Sequence, residues 1–142
     1  MGRVKIQLPD RTDFSCTLPV RITDINYGSH LGNDAFLGLL HEARLQWLAQ
    51  YGWTELDLNG TGLIMIDIAI RFKSEASHGH RLQIQFALAD WTECGFTIVY
   101  LATNLDTGKE FARAQTGMLF FDYTNRKLMG TPAGFREKVC PV

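Results

Sequence analysis

From about Asn33 to Gln50 the chain reads as a helix that is apolar on most of its circumference, and this feature limits the folds open to it. Phe36, Leu40, Ala43 and Trp47 recur at i, i+4, i+7 and i+11, the spacing of one helical face. Leu37, Leu39, Leu45 and Leu48 widen that stripe. A helix with one narrow apolar stripe can lie on a surface, but this one must be covered from several sides.

The residues around it supply the cover as strands. Phe14 to Ile22 is a strand with Pro19 marking an edge or bulge. In GLIMIDIAIRFK strict alternation puts Ile64, Ile66, Ile68, Ile70 and Phe72 on one face. RLQIQFALADW repeats the pattern with Leu82, Ile84, Phe86 and Leu88. FTIVYLATN then runs through the Gly-containing turn DTGK into EFARAQTGMLFFDY, and the three read as an antiparallel meander. The tail from Thr124, with Pro132, Gly134 and Pro141, reads as loop or short helix. The expected class is α+β: a curved antiparallel sheet of about five strands wrapped around one long central helix, in a single domain over residues 1–142. Such a sheet has edges and a second face that need cover, so a homodimer or homotetramer is expected.

A net charge of −1 and a pI near 6.4 give the chain no electrostatic draw to nucleic acid or to an anionic membrane. No apolar run reaches transmembrane length, and MGRVKIQLPD lacks the apolar core of a signal peptide. Cys16, Cys94 and Cys140 are odd in number and widely spaced, which fits free thiols in a reducing compartment, and a cytoplasmic location is expected.

Just ahead of the helix, TDINYGSHLGNDAF (residues 23–36) gathers more polar side chains than one helix cap needs. Asp24, Asn26, Ser29, Asn33 and Asp34 are residue types that make turns and caps, and Asn33 or Asp34 fits the cap itself. The same place also suits chemistry. The first amides of a helix have no helical partner and carry the positive end of its dipole, which makes them donors for a developing oxyanion.

The spacing Arg21-x-x-Asp24-x-Asn26-x-x-x-His30-x-x-Asn33, followed by AFLGLLHEARLQWL with Glu42, Ala43, Arg44 and Trp47, resembles the 4-hydroxybenzoyl-CoA thioesterase branch of the hotdog-fold proteins. That branch carries an Asp-x-Asp-x-x-Gly-His-x-Asn-Asn loop leading into a helix with Glu, Arg and Trp. IRFKSEASHGHRLQI is similar to the segment after its second strand, and the likeness runs from about Val20 to Pro132. The resemblance implies hydrolysis of an acyl thioester, on CoA or an acyl-carrier protein. It also implies sites at a subunit interface, no metal, and no cofactor beyond the CoA of the substrate.

Three departures bear on that chemistry. Where many members of the branch have their catalytic Asp, this chain has Asn26, and an amide is neither a nucleophile nor a general base at neutral pH. Ser29 stands where the pattern has Gly, and Gly79-His80 where it has Gly-Asp. The expected machinery is then Asp24, Asn26, His30, Asn33 and Asp34. Backbone amides near Gly32 and Asn33 would hold the thioester carbonyl, Asn26 would orient water or carbonyl, and Asp24, His30 or Asp34 would accept the proton. His30 suits that task best, imidazole being the side chain whose charge changes nearest neutrality. Arg71, Lys73 and Arg81, with Arg126 and Lys127, are the cations expected to meet CoA phosphates. His78 and His80, with Glu75 nearby, give a poor ligand set, and no metal is expected. Asn26 keeps two alternatives open: a non-catalytic acyl-thioester binding protein, and a hotdog hydratase or dehydratase using His30 with Asp34.

Overall fold

The structure is a computed structural model and describes residues 2–140, so Pro141 lies outside the described residues. In chain order it holds β1 (Phe14–Pro19), α1 (Asn33–Ala49), β2 (Gly62–Phe72), β3 (Arg81–Ala89), β4 (Gly95–Asn104), β5 (Glu110–Asp122), β6 (Lys127–Leu128) and α2 (Phe135–Val139). A one-turn helix over Ile22–Asp24 sits between β1 and α1. The antiparallel sheet runs β1-β3-β4-β5-β2, with β6 folding back on the end of β5. This is the hotdog fold: a curved sheet around a central helix. Among the described residues, no helix is long and apolar enough to cross a membrane.

The long helix forms where expected for local reasons. Asn33–Ala49 contains no β-branched residue and is rich in Ala and Leu, the best helix formers. It stops at Gly52, whose φ of +74° only glycine adopts freely. There Trp53 N–H donates to Leu48 O at 3.1 Å and Gly52 N–H donates to Ala49 O at 3.1 Å, the paired closure of a Schellman motif. Trp53 and Leu48 are both buried, which adds the apolar contact that accompanies the motif. Phe36, Leu39, Leu40, Ala43, Trp47 and Leu48 face the sheet. Trp47 meets Phe86, Phe96 and Phe135 edge-on, with ring centroids 5.5–6.3 Å apart.

Two strand expectations fail. The first strand ends at Pro19 rather than Ile22, which falls in the one-turn helix. The residues Ile64 to Phe72 do not share a face, because β2 carries a bulge between Met65 and Asp67. Leu63 and Met65 pair with the buried Phe120 and Met118, and after the bulge Ile68, Ile70 and Phe72 pair with the buried Thr116, Ala114 and Ala112. The extra residue, Ile66, reverses the alternation, so Ile64 points away from the helix while Ile68 points toward it. Asp67 then takes up the amide freed by the irregularity: Gly117 N–H donates to its Oδ1 at 2.8 Å.

The second face of the sheet is partly covered by the segment ahead of β1. Ile6 is buried, Arg113 Nη1 donates to Ile6 O at 3.2 Å, and Arg71 Nη1 reaches Val4 O at 3.5 Å. Among the described residues, the edge strand β2 pairs only with β5. Met65, Ile66, Ile68 and Phe72 are exposed along it, as are Leu37 and Leu45 on α1.

Candidate active site

The loop between β1 and α1 is built by its own polar side chains. Arg21 N–H donates to Asp24 Oδ2 at 2.8 Å, and the Arg21 guanidinium reaches both carboxylate oxygens at 3.2–3.3 Å. Asp24 is 5% exposed, yet its pKa lies below the ordinary aspartate value. Burial pushes it up, and the Arg21 hydrogen bonds and charge outweigh that. Its backbone carbonyl accepts Gly32 N–H at 2.9 Å, which brings the chain back to the start of the helix. Asp24 therefore holds the loop, and the Gly32 amide is occupied.

Asn26 organises the tip. Its Oδ1 accepts Gly28 N–H at 2.9 Å and His30 N–H at 3.3 Å, while Asn26 N–H donates to His30 O at 2.8 Å. Asn26 is exposed, and with Oδ1 taken, Nδ2 is the end of the amide left to donate. Ser29 sits inside this turn at φ 65°, the left-handed region. The glycine of the resembling pattern at this position thus has a backbone reason.

Gly32, rather than Asn33 or Asp34, is the N-cap of α1, and it offers no side-chain cap. Gly32 O accepts Phe36 N–H at 3.0 Å, and the amides of Asn33, Asp34 and Ala35 come before any helical acceptor. Asn33 and Asp34 are exposed. The Asp34 carboxylate curls back toward Gly32, where a Cβ would lie 2.8 Å from Oδ1. His30 is half-exposed, and its Nε2 lies 3.0 Å from Glu75 Oε2, a residue of the β2–β3 connection. That connection is stitched to the loop by Leu31 N–H to Ala76 O at 2.8 Å. So Asp24, Asn26, His30, Asn33 and Asp34 fall on one short stretch around the helix start, with Asp24 turned inward.

The cations are more dispersed. Lys73 Nζ pairs with Glu110 at 3.2 Å, and Arg81 binds Asp106 through its backbone amide at 2.7 Å and its guanidinium at 3.4 Å. Arg71 lies within β2, opposite Arg113, on the face turned from the helix. His80 Nδ1 accepts Ser77 N–H and lies 3.0 Å from Asn104 Nδ2. Among the described residues, no group of three or more His, Cys, Asp and Glu side chains could hold a metal. Burial pushes the Cys16 and Cys140 thiols up to about 11, which leaves them protonated and poor nucleophiles at neutral pH.

Sequence reasoning missed a buried polar chain beside the helix. Arg44, 5% exposed, donates to Tyr100 Oη at 3.2 Å and to Glu55 at 3.4 Å. Tyr100 Oη lies 2.8 Å from Thr116 Oγ1, and Glu55 also takes His41 Nε2 at 2.5 Å. The signal was present: Arg44 lies four residues from both Leu40 and Leu48, on the buried face, so its charge needed a partner.

A family model for the thioesterase-like superfamily matches residues 20–139. Among solved structures, Slr0204, a 1,4-dihydroxy-2-naphthoyl-CoA thioesterase from Synechocystis, is 21% identical with a TM-score of 0.80, covering 91% of this chain and 96% of its own. YbaW, a probable thioesterase from Escherichia coli, is 20% identical with a TM-score of 0.75, covering 88% and 95%. SAV2348 from Staphylococcus aureus, solved in complex with CoA, is 15% identical with a TM-score of 0.79, covering 97% and 85%. No curated protein matches by sequence. The chain belongs to the thioesterase-like superfamily and has its hotdog fold.

Proposed function

We propose that this protein hydrolyses an acyl thioester, with CoA as the carrier, at the loop and helix start formed by residues 24–34. The observation that carries the reading is that His30, Asn26 Nδ2 and the first amides of α1 fall on one short stretch, with Nδ2 and those amides lacking a hydrogen-bond partner among the described residues. The thioester carbonyl oxygen accepts from the Asn33 and Asp34 amides and from Asn26 Nδ2. Each donor aimed at the developing oxyanion contributes on the order of 3 kcal/mol to lowering the barrier. His30 takes the proton of the attacking water. Asp34, bent back over Gly32, fixes the helix entrance, and Asp24 with Arg21 holds the loop in shape. The CoA carrier is supported by two neighbours, one a CoA thioesterase and one solved with CoA.

Lys73 and Arg81, at the two ends of the β2–β3 connection, are the better placed of the proposed phosphate contacts. Phosphate would compete there with Glu110 and Asp106. The open β2 edge supports assembly into a homodimer through that strand. One observation favours a second reading. Asn26 in place of the carboxylate fits a protein that binds acyl thioesters without cleaving them.

The test is thiol release from acetyl-, hexanoyl-, lauroyl- and benzoyl-CoA by the wild type and by His30→Ala, Asn26→Ala and Asp24→Asn. Hydrolysis is expected in the wild type, with kcat/KM reduced at least 100-fold in His30→Ala. Binding without thiol release would favour the second reading. Wild-type kcat/KM in all three folded variants would overturn the site.

A further inference from the structure

We propose that Glu75 is the carboxylate that orients His30 for proton transfer, supplied from the β2–β3 connection where the loop itself carries Asn26. This inference rests on the hydrolysis proposed above and names the residue that acts through its base. Glu75 is 45 residues away in sequence, yet its Oε2 lies 3.0 Å from His30 Nε2. The two positions are held in register by the backbone next to both. Leu31 N–H donates to Ala76 O at 2.8 Å, and Val20 N–H to His80 O and Gly79 N–H to Val20 O fasten the far end of the same connection.

The chemistry follows from the two groups. A carboxylate only accepts, so the proton between them sits on Nε2 and the lone pair on Nδ1 is free to act as base. Asp24, His80 and His41 are engaged differently. Asp24 is bound by Arg21, and His80 Nδ1 is taken up by Ser77 N–H with Asn104 beside it. His41 has Glu55 but stands two turns into α1, roughly 12 Å along the axis from its start. Side-chain exposures of 41% for His30 and 72% for Glu75 make the pair a weak contributor to stability, so its consequence is orientation.

In the step itself, His30 Nδ1 takes a proton from water as the water oxygen bonds to the thioester carbonyl carbon. The tetrahedral adduct then breaks its C–S bond, and the sulfur leaves as a thiol with the proton returned by the imidazolium. One water is consumed, one carboxylic acid and one thiol are formed, and nothing is oxidised or reduced. Throughout, Glu75 accepts the hydrogen bond from Nε2–H.

A double-mutant cycle tests this on whichever CoA thioester of the panel is cleaved fastest. Glu75→Ala is expected to lower kcat about 10-fold with KM unchanged, and to cost nothing further in a His30→Gln background. Wild-type kcat in Glu75→Ala overturns the proposal. So does an equal loss in both backgrounds, which marks a structural role. Wild-type activity in His30→Gln overturns His30 as the base and this inference together, whereas an inactive His30→Gln beside a fully active Glu75→Ala overturns only this one. Nitrogen-15 NMR of the His30 ring needs no substrate. A hydrogen-bonded Nε2 proton resonance that is lost in Glu75→Ala supports the pair, and identical ring spectra in the two proteins contradict it.

Discussion

Asn26 shows how one side chain can keep a loop and change its chemistry. Its Oδ1 takes two backbone amides, a task that an aspartate oxygen would do equally well, so the turn survives the replacement. What changes is the other end, an NH2 donor where a carboxylate would carry charge. Ser29 is the opposite case, where the residue opposes the backbone. At φ 65° a side chain costs about 1–2 kcal/mol, part of which the greater unfolded-state freedom of glycine would offset. Ser29→Gly is therefore expected to stabilise the protein by ~0.5–1 kcal/mol, read as a higher urea midpoint at constant slope. A lower midpoint would show that the serine side chain holds the loop in a way its geometry does not reveal. The polar crowding of the loop was legible in sequence. That Asp24 turns inward to Arg21 was not, because turn-forming and catalytic carboxylates are the same residue type.

Among the elements, α1 and β2 illustrate what periodicity carries and what it loses. The helix was legible almost to the residue, since Phe36, Leu40, Ala43 and Trp47 follow its period and Gly52 ends it. In β2 the alternating isoleucines disguised a one-residue bulge, because an inserted residue leaves composition and apolar content unchanged. Only pairing with β5 reveals which isoleucines face the helix. The bulge lies midway along the unpaired edge and leaves Ile66 54% exposed. An apolar edge of that kind invites another strand, and a charge on it blocks pairing. The wild type is expected to sediment as a dimer or larger, and Ile66→Lys as a monomer with an unchanged circular dichroism spectrum. A monomeric wild type at micromolar concentration would remove the proposed β2 interface.

For the molecule as a whole, the sheet, the helix and the chain ahead of β1 divide the work. The sheet buries the helix, residues 4–6 lie over part of its other face, and the helix start is left at the surface beside two stitched loops. The wrapped architecture was legible because an apolar helix followed by long strands leaves few ways to bury both. The meeting of His30 with Glu75 was not, since it joins two loops through a tertiary contact that no local pattern encodes. On the proposed mechanism, thioester cleavage proceeds with an amide donor at position 26 and an imidazole base, without a carboxylate in the loop tip. The most direct test compares kcat/KM of wild type and Asn26→Asp on one CoA thioester. Hydrolysis by the wild type is expected, with a loss of roughly 100-fold in Asn26→Asp, where a donor to the oxyanion becomes a negative charge beside it. No thiol release by the wild type, or a faster Asn26→Asp, would contradict that mechanism.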